Sequence, residues 1–339
     1  MLLNENKISV GGALGVLTLE SLPDELFYDI FYYLSAQDLY DGFYNLNYRF
    51  RSILATLTNL YSEITIKDET NSLASRYFAS RIVALSIKHV ESFDLSAFST
   101  IRSLTLLAEP NREQCQSIQR FLPHLEQLVT CKSSTRHFSY STSASHFVFT
   151  NAYPFLRSSS LNLVSYKDEQ SWTHVLSLRF LSIRIIDLRI YPQILRTCPS
   201  LVRFQLEFKN NFQLPKLFYR FDSHSSLRYL HLRLHSTPYS YCLITALLLS
   251  LVPNLRQFSL HGCLSEAGDI NIESLAEILH QHVPHLDHFY LTMAIQQTLS
   301  TNNWQKMRQL HSLFHRLTIE SPTPHSLARL TIQSKKNLI

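Results

Sequence analysis

The chain has 339 residues, 45% of them hydrophobic and 12% aromatic, with only 17% charged. That composition excludes a largely disordered protein and supplies apolar mass for one to three packed domains. The net charge of +5 comes from dispersed Lys and Arg with no run or stripe of basic residues, which argues against nucleic acid as a partner. Six glycines are few for phosphate-cradling loops, and neither GxGxxG nor GxxxxGK occurs.

Residues 1–17, including the GGALG patch at Gly11, read as a flexible leader without a signal-peptide pattern. The stretch LPDELFYDIFYYLSAQDL begins at Leu22 and predicts a helix. Pro23 suits a first helical position, and Asp24 and Glu25 place negative charge at the positive end of the dipole. Leu22, Leu26, Ile30 and Leu34 recur at spacing four with Phe27 and Phe31 beside them, an apolar arc wider than one core contact requires. Ser35 and Asp38 have the spacing of a capping box for a second helix with Leu39, Phe43 and Leu46. Asn47 can cap a third, in which Phe50, Ile53, Leu54 and Leu57 fall on one face. Three short helices make a small core, so the surplus apolar surface points to a partner or to packing against the next domain.

These residues resemble an F-box, spanning about residues 18–60. The family's opening Leu-Pro-x-Glu is matched by Leu22, Pro23 and Glu25. Its apolar pair and leucine are matched by Ile30, Phe31 and Leu34, and its acidic-Leu step by Asp38 and Leu39. The usual Arg-Trp appears as Arg49-Phe50, one residue later than the commonest spacing, and Asn47 replaces the Cys or Ser before it. The resemblance implies docking onto the Skp-type adaptor of a cullin-based ubiquitin ligase through Leu22, Pro23, Leu26, Ile30, Phe31, Leu34 and Leu39.

From residue 61 to 339 a cassette of the form apolar-x-x-apolar-x-apolar returns. It starts at Ile82, Ile101, Leu201, Leu227, Leu255, Leu286 and Leu327, and at Leu125 with Thr130 in the last place. Weaker copies lie near Leu161 and Phe180. REQCQSIQRF, CLITALLLSLV, SLAEILHQHV and WQKMRQLHSLF carry apolar residues at helical spacing. Successive cassettes from Leu201 are 26, 28 and 31 residues apart, the period of a solenoid whose units bury their faces against one another. The pattern resembles leucine-rich repeats of the long, helix-bearing kind. The expected architecture is therefore α/β: a small three-helix unit followed by an irregular solenoid of parallel strands alternating with helices. The Ser/Thr-rich stretch from Lys132 to His146 reads as a loop or irregular insertion.

Four histidines, His280, His282, His285 and His288, invite a zinc reading. The repeat frame turns His288 outward, puts His280 and His282 at a helix end, and separates the pairs by Pro284, so neither metal nor cofactor is expected. No GxSxG, HExxH or CxxC occurs, and the chain is not expected to be an enzyme. The longest apolar run, Cys242–Val252, is too short to span a bilayer. Five scattered cysteines suit a reducing compartment, cytoplasmic or nuclear.

The outward cassette positions are Arg203, Gln205 and Glu207; Tyr229, His231 and Arg233; Gln257, Ser259 and His261; His288, Tyr290 and Thr292. If the strands stack in parallel, these share one face. Arg203, Tyr229, His231, Arg233, His261, His288 and Tyr290 are the candidate contacts for an acidic or phosphorylated protein substrate. With the F-box resemblance, this implies a substrate-recognition subunit of an SCF-type ligase, partnered by adaptor and cullin. The alternatives are a non-degradative F-box scaffold and, less favoured, a His-rich metalloprotein.

Overall fold

The computed structural model describes residues 19–64, 73–87, 94–131, 143–164, 171–185, 187–208, 222–234, 241–263, 272–295, 317–320 and 328–335. The leader, most of the Ser-rich stretch and the WQKMRQLHSLF segment lie outside them. Three helices come first: α1 (Asp24–Phe31), α2 (Ala36–Phe43) and α3 (Tyr48–Thr56). Their starts follow from local chemistry. Pro23 is the extended residue ahead of α1, one place earlier than expected. Ser35 and Asp38 exchange the two bonds of a capping box at α2. At α3 the Asn47 side chain accepts from the Phe50 N–H.

Aromatic rings join the three helices. Phe27 and Phe50 pack edge to face at 4.9 Å, and Phe31 and Phe43 lie 4.6 Å apart. Leu39, Ile53 and Leu54 complete this buried cluster. Arg49 clamps α3 to the beginning of α1. Its guanidinium lies over the Phe27 ring and donates to the Asp24 carboxylate and to the carbonyls of Glu20 and Leu22.

Asn59, in the left-handed region at φ 58°, turns the chain into strand β1 (Leu60–Ile64). There follow β2 (Ile82–Ile87), β3 (Ser103–Leu106), β4 (Gln127–Thr130), β5 (Ser158–Val164) and β6 (Phe180–Ile185). Then come β7 (Arg203–Phe208), β8 (Tyr229–Leu234), β9 (Gln257–Cys263) and β10 (His288–Ile295). These ten strands pair in parallel, each beside its predecessor in sequence. Helices α4 (Leu73–Phe78), α5 (Arg112–Phe121), α6 (Ser143–Phe149), α7 (Ile190–Thr197), α8 (Tyr241–Leu249) and α9 (Ile272–His282) alternate with them. The chain is thus an α/β protein with a ten-strand parallel sheet.

The register lines up the cassettes. Leu104, Leu128, Ser159, Leu181, Phe204, Leu230, Phe258 and Phe289 are successive partners along one buried row. From β3 to β10 each strand is tied to the next at its start by one carbonyl that accepts two N–H groups. Arg179 O serves Val202 and Arg203, and Arg228 O serves Arg256 and Gln257.

Four expectations need correction. The Leu327 cassette is not a further parallel unit. Its strand, β12 (Ala328–Lys335), runs antiparallel to β10, and β11 (Leu317–Glu320) runs antiparallel to β12. Alternating apolar residues specify a strand but not its direction. Strand β1 was not expected, because buried Ser62 fills an inner place that the cassette reserves for an apolar residue. The units near Leu161 and Phe180 begin earlier, at buried Leu156 and Leu178, with Ser159 hiding the first of them. Finally, residues Ser143–His146 of the supposed loop form the first turn of α6.

The three-helix unit is not set apart from the sheet. α2 packs against α4 and β1, and Tyr77 of α4 meets Tyr44 at 5.0 Å and Tyr40 at 5.9 Å. Arg81 lies over Tyr77 and Phe78 and donates at 2.7 Å to Leu54 O, an orphan carbonyl in the last turn of α3. One apolar core runs from Phe27 to Leu291. Among the described residues no helix is long and apolar enough to cross a membrane.

Candidate functional site

Two surfaces carry the candidate residues. The first is the outer side of α1. Its apolar residues divide between two directions, Phe27 and Phe31 entering the core while Leu26 and Ile30 stay 45% and 44% exposed. Tyr33 continues this side and is 85% exposed, with Tyr32 packed edge to face against it at 5.5 Å. Of the seven residues expected to contact a partner, Pro23, Leu26 and Ile30 are exposed, and Leu22 and Leu34 are half-buried against the core. Phe31 and Leu39 are fully buried within the chain, so they support the surface without forming it. The reason is geometric: positions 27 and 31 lie a full 100° around the helix from 26 and 30. Tyr32 and Tyr33 were missed, because the helix ends at Phe31 and helical spacing stops indicating which side a residue faces.

The second surface is the face of the sheet opposite its buried rows. All seven candidate contacts there fall on neighbouring strands in three register-matched rows. Phe180, Arg203, Tyr229, Gln257 and His288 form one, and Gln205, His231, Ser259 and Tyr290 the next. The third contains Arg184, Glu207, Arg233, His261 and Thr292. The Arg203 guanidinium lies between two rings, 5.6 Å from the centre of Phe180 and 5.0 Å from that of Tyr229. Phe180 was missed because its cassette starts at Leu178, which makes it the counterpart of Arg203 and Tyr229.

Electrostatics on this face are uneven. Glu207 is paired with Arg184, both largely enclosed. Arg203 and Arg233 are exposed. The His231 and His261 rings lie 4.6 Å apart at a tilt of 39°, and Ser259 Oγ lies 3.1 Å from His261 Nε2. Burial first, then His261 and Arg233, hold the His231 imidazole down at about 4. At neutral pH it is therefore uncharged, so on its strand the positive charge is that of Arg233.

The histidine-rich stretch is divided as its sequence suggests. His280 and His282 lie in the last turn of α9, His285 is exposed in the turn beyond, and His288 is half-buried on β10. No group of three or more His, Cys, Asp or Glu side chains among the described residues could hold a metal ion. The buried thiols are poor nucleophiles, because burial pushes Cys115 up to about 12 and raises Cys198 as well. His224 is structural: its Nδ1 accepts from the Leu227 N–H and its Nε2 faces Cys198 O at 3.0 Å. What the two surfaces offer is recognition through apolar, aromatic and guanidinium groups.

Compared with family models and with curated proteins, the chain matches none.

Proposed function

We propose that the chain is the substrate-recognition subunit of an SCF-type ubiquitin ligase, with α1–α3 as its F-box and the sheet as a degenerate leucine-rich-repeat receptor. The observation that carries this reading is the divided apolar character of α1. A helix that buries Phe27 and Phe31 inside the chain and still holds Leu26, Ile30 and Tyr33 outward has surface for a second protein. The Arg49 clamp and the Arg81 bridge hold that helix rigidly on the sheet, as a receptor must if it is to carry a substrate to a fixed place. No bond chemistry is assigned to this chain. It acts by proximity, raising the effective concentration of a substrate lysine near the ubiquitin carrier. Arg203, Tyr229, His231, Arg233, His261, His288 and Tyr290 contact an acidic or phosphorylated protein.

The test is capture of a Skp-type adaptor and cullin by the full chain and by Ile30→Asp. The variant should lose the adaptor, because an unpaired carboxylate in an apolar contact costs more than the roughly 2–7 kcal/mol of a neutral polar group unless it protonates. Equal capture by both proteins removes the F-box reading. Adaptor without cullin would instead favour a non-degradative scaffold. On the sheet, Tyr229→Ala with Arg233→Ala should release substrates while the adaptor stays bound.

A further inference from the structure

Arg157, Arg179, Arg203, Arg228 and Arg256 stand more than twenty residues apart from one another in the sequence, and the fold gathers them. The carbonyl ladder at the strand starts links Glu126 to Arg157, Arg157 to Arg179, Arg179 to Val202 and Arg203, Val202 to Arg228, Arg228 to Arg256, and Arg256 to Asp287. Parallel strands lie about 4.8 Å apart, so Arg157, Arg179, Arg228 and Arg256, each just ahead of its strand, and Arg203, one residue further along because Val202 takes the matching place, form a cationic band along one end of the sheet. Acidic residues bound it. Glu126 pairs with Arg102 at 2.9 Å, and Asp287 pairs with Arg256 at 3.4 Å. Between them Arg157, Arg179, Arg203 and Arg228 have no carboxylate partner among the described residues.

We infer that this band is a docking track for a short, continuously acidic peptide segment of a partner protein, lying across the strands. Part of the band is held in place beforehand. Arg228 Nη1 donates to Ser225 O at 2.7 Å and to Asn254 O at 3.3 Å, and Arg179 Nη1 donates to Ser200 O at 3.2 Å. Fixing the guanidinium groups in advance lowers the ordering cost of binding. Three strand steps cover roughly 14 Å, and an extended chain rises about 3.4 Å per residue, so about five residues span the unpaired part. Single-stranded nucleic acid is the rival for such a band, but its bases need free aromatic faces. The aromatic rings beside the band, Phe180 and Tyr229, are engaged by Arg203.

Fluorescence anisotropy with the full chain tests the track, using a labelled hexaglutamate peptide, a labelled peptide of alternating phosphoserine and glycine, and a labelled dT 12-mer. The chain should bind at least one peptide more tightly than the 12-mer, and the tighter peptide identifies carboxylate or phosphate as the anion. Arg157→Glu with Arg179→Glu should weaken that peptide about tenfold, whereas Arg102→Glu, beyond the band, should change it less than about threefold. If the double variant fails to melt cooperatively, Arg157→Gln alone, at an exposed position, should still cost about threefold. Equal affinity in the variants, no binding of either peptide, or tighter binding of the 12-mer overturns the inference. Calling the partner a ubiquitination substrate rests on the reading above. Peptide binding without adaptor capture would remove that reading and leave the track, while adaptor capture without peptide binding would remove the track alone.

Discussion

Glu109 Oε2 is buried without a hydrogen-bond partner. Burial pushes this carboxyl up to about 7, against a smaller opposing pull from Thr130 and Ala144. Unfolded, it titrates near 4.5. Between those values the folded chain keeps a proton that the unfolded chain has released, so Glu109's contribution to stability falls as pH rises from about 4.5 to 7 and is level above. Glu109→Gln removes this dependence. Its unfolding free energy in urea, relative to the parent, should rise between pH 5 and pH 8 by on the order of 1–3 kcal/mol. A difference that stays constant across that range would refute the assignment. Thr245 presents a simpler case, a fully buried hydroxyl on α8 without a hydrogen-bond partner. Thr245→Val keeps the branched shape and removes the unpaired group, so the urea midpoint should rise, by about 1 kcal/mol in stability.

Neighbouring positions on α1 should respond oppositely to substitution, because one faces out and the next faces in. Ile30→Asp should leave the melting temperature close to that of the parent, since the side chain is already half exposed. Phe31→Ala should cost about 3–5 kcal/mol, because it empties the site packed against Phe27 and Phe43. If thermal melts show Ile30→Asp to be the more damaging, the division of α1 into an inner and an outer side is wrong. Much at this scale could be read from the residues alone. The capping box at Ser35, the Asn47 cap, α5 over REQCQSIQRF and the strands after Ile101, Leu201, Leu227 and Leu255 all lie where pattern and cap chemistry put them. Units were lost where a small polar residue took an inner place. Ser62 and Ser159 are buried, and pattern matching by hydrophobicity passes over them. Thr130 was the milder case. Its hydroxyl accepts from the Asn162 N–H at 3.1 Å, so a polar side chain fits the buried row beside β5. The shared outward face of the sheet was legible because period two fixes which residues face out, whereas the division of α1 depended on which of its two apolar sides the chain itself would cover.

At the scale of the whole molecule, order arises that no window of sequence displays. Arginines such as Arg157 and Arg179, 22 residues apart, become neighbours only because every unit adds one strand in register. The same stacking creates a problem at its last strand. A parallel sheet leaves its final strand with unpaired N–H and C=O groups along one side, an invitation to pairing with another chain. Here β12 meets that need by pairing antiparallel with β10 over all eight residues from His288 to Ile295, and β11 lies outside it. A chain truncated after Ile295 should therefore expose the full length of β10 beside buried Phe289 and Leu291. Light scattering should detect self-association of the truncated chain at concentrations where the full chain shows none, and its melting temperature should fall. Should both proteins share one hydrodynamic size and one melting temperature, the antiparallel pair is dispensable, and the parallel stack is stable with β10 as its edge.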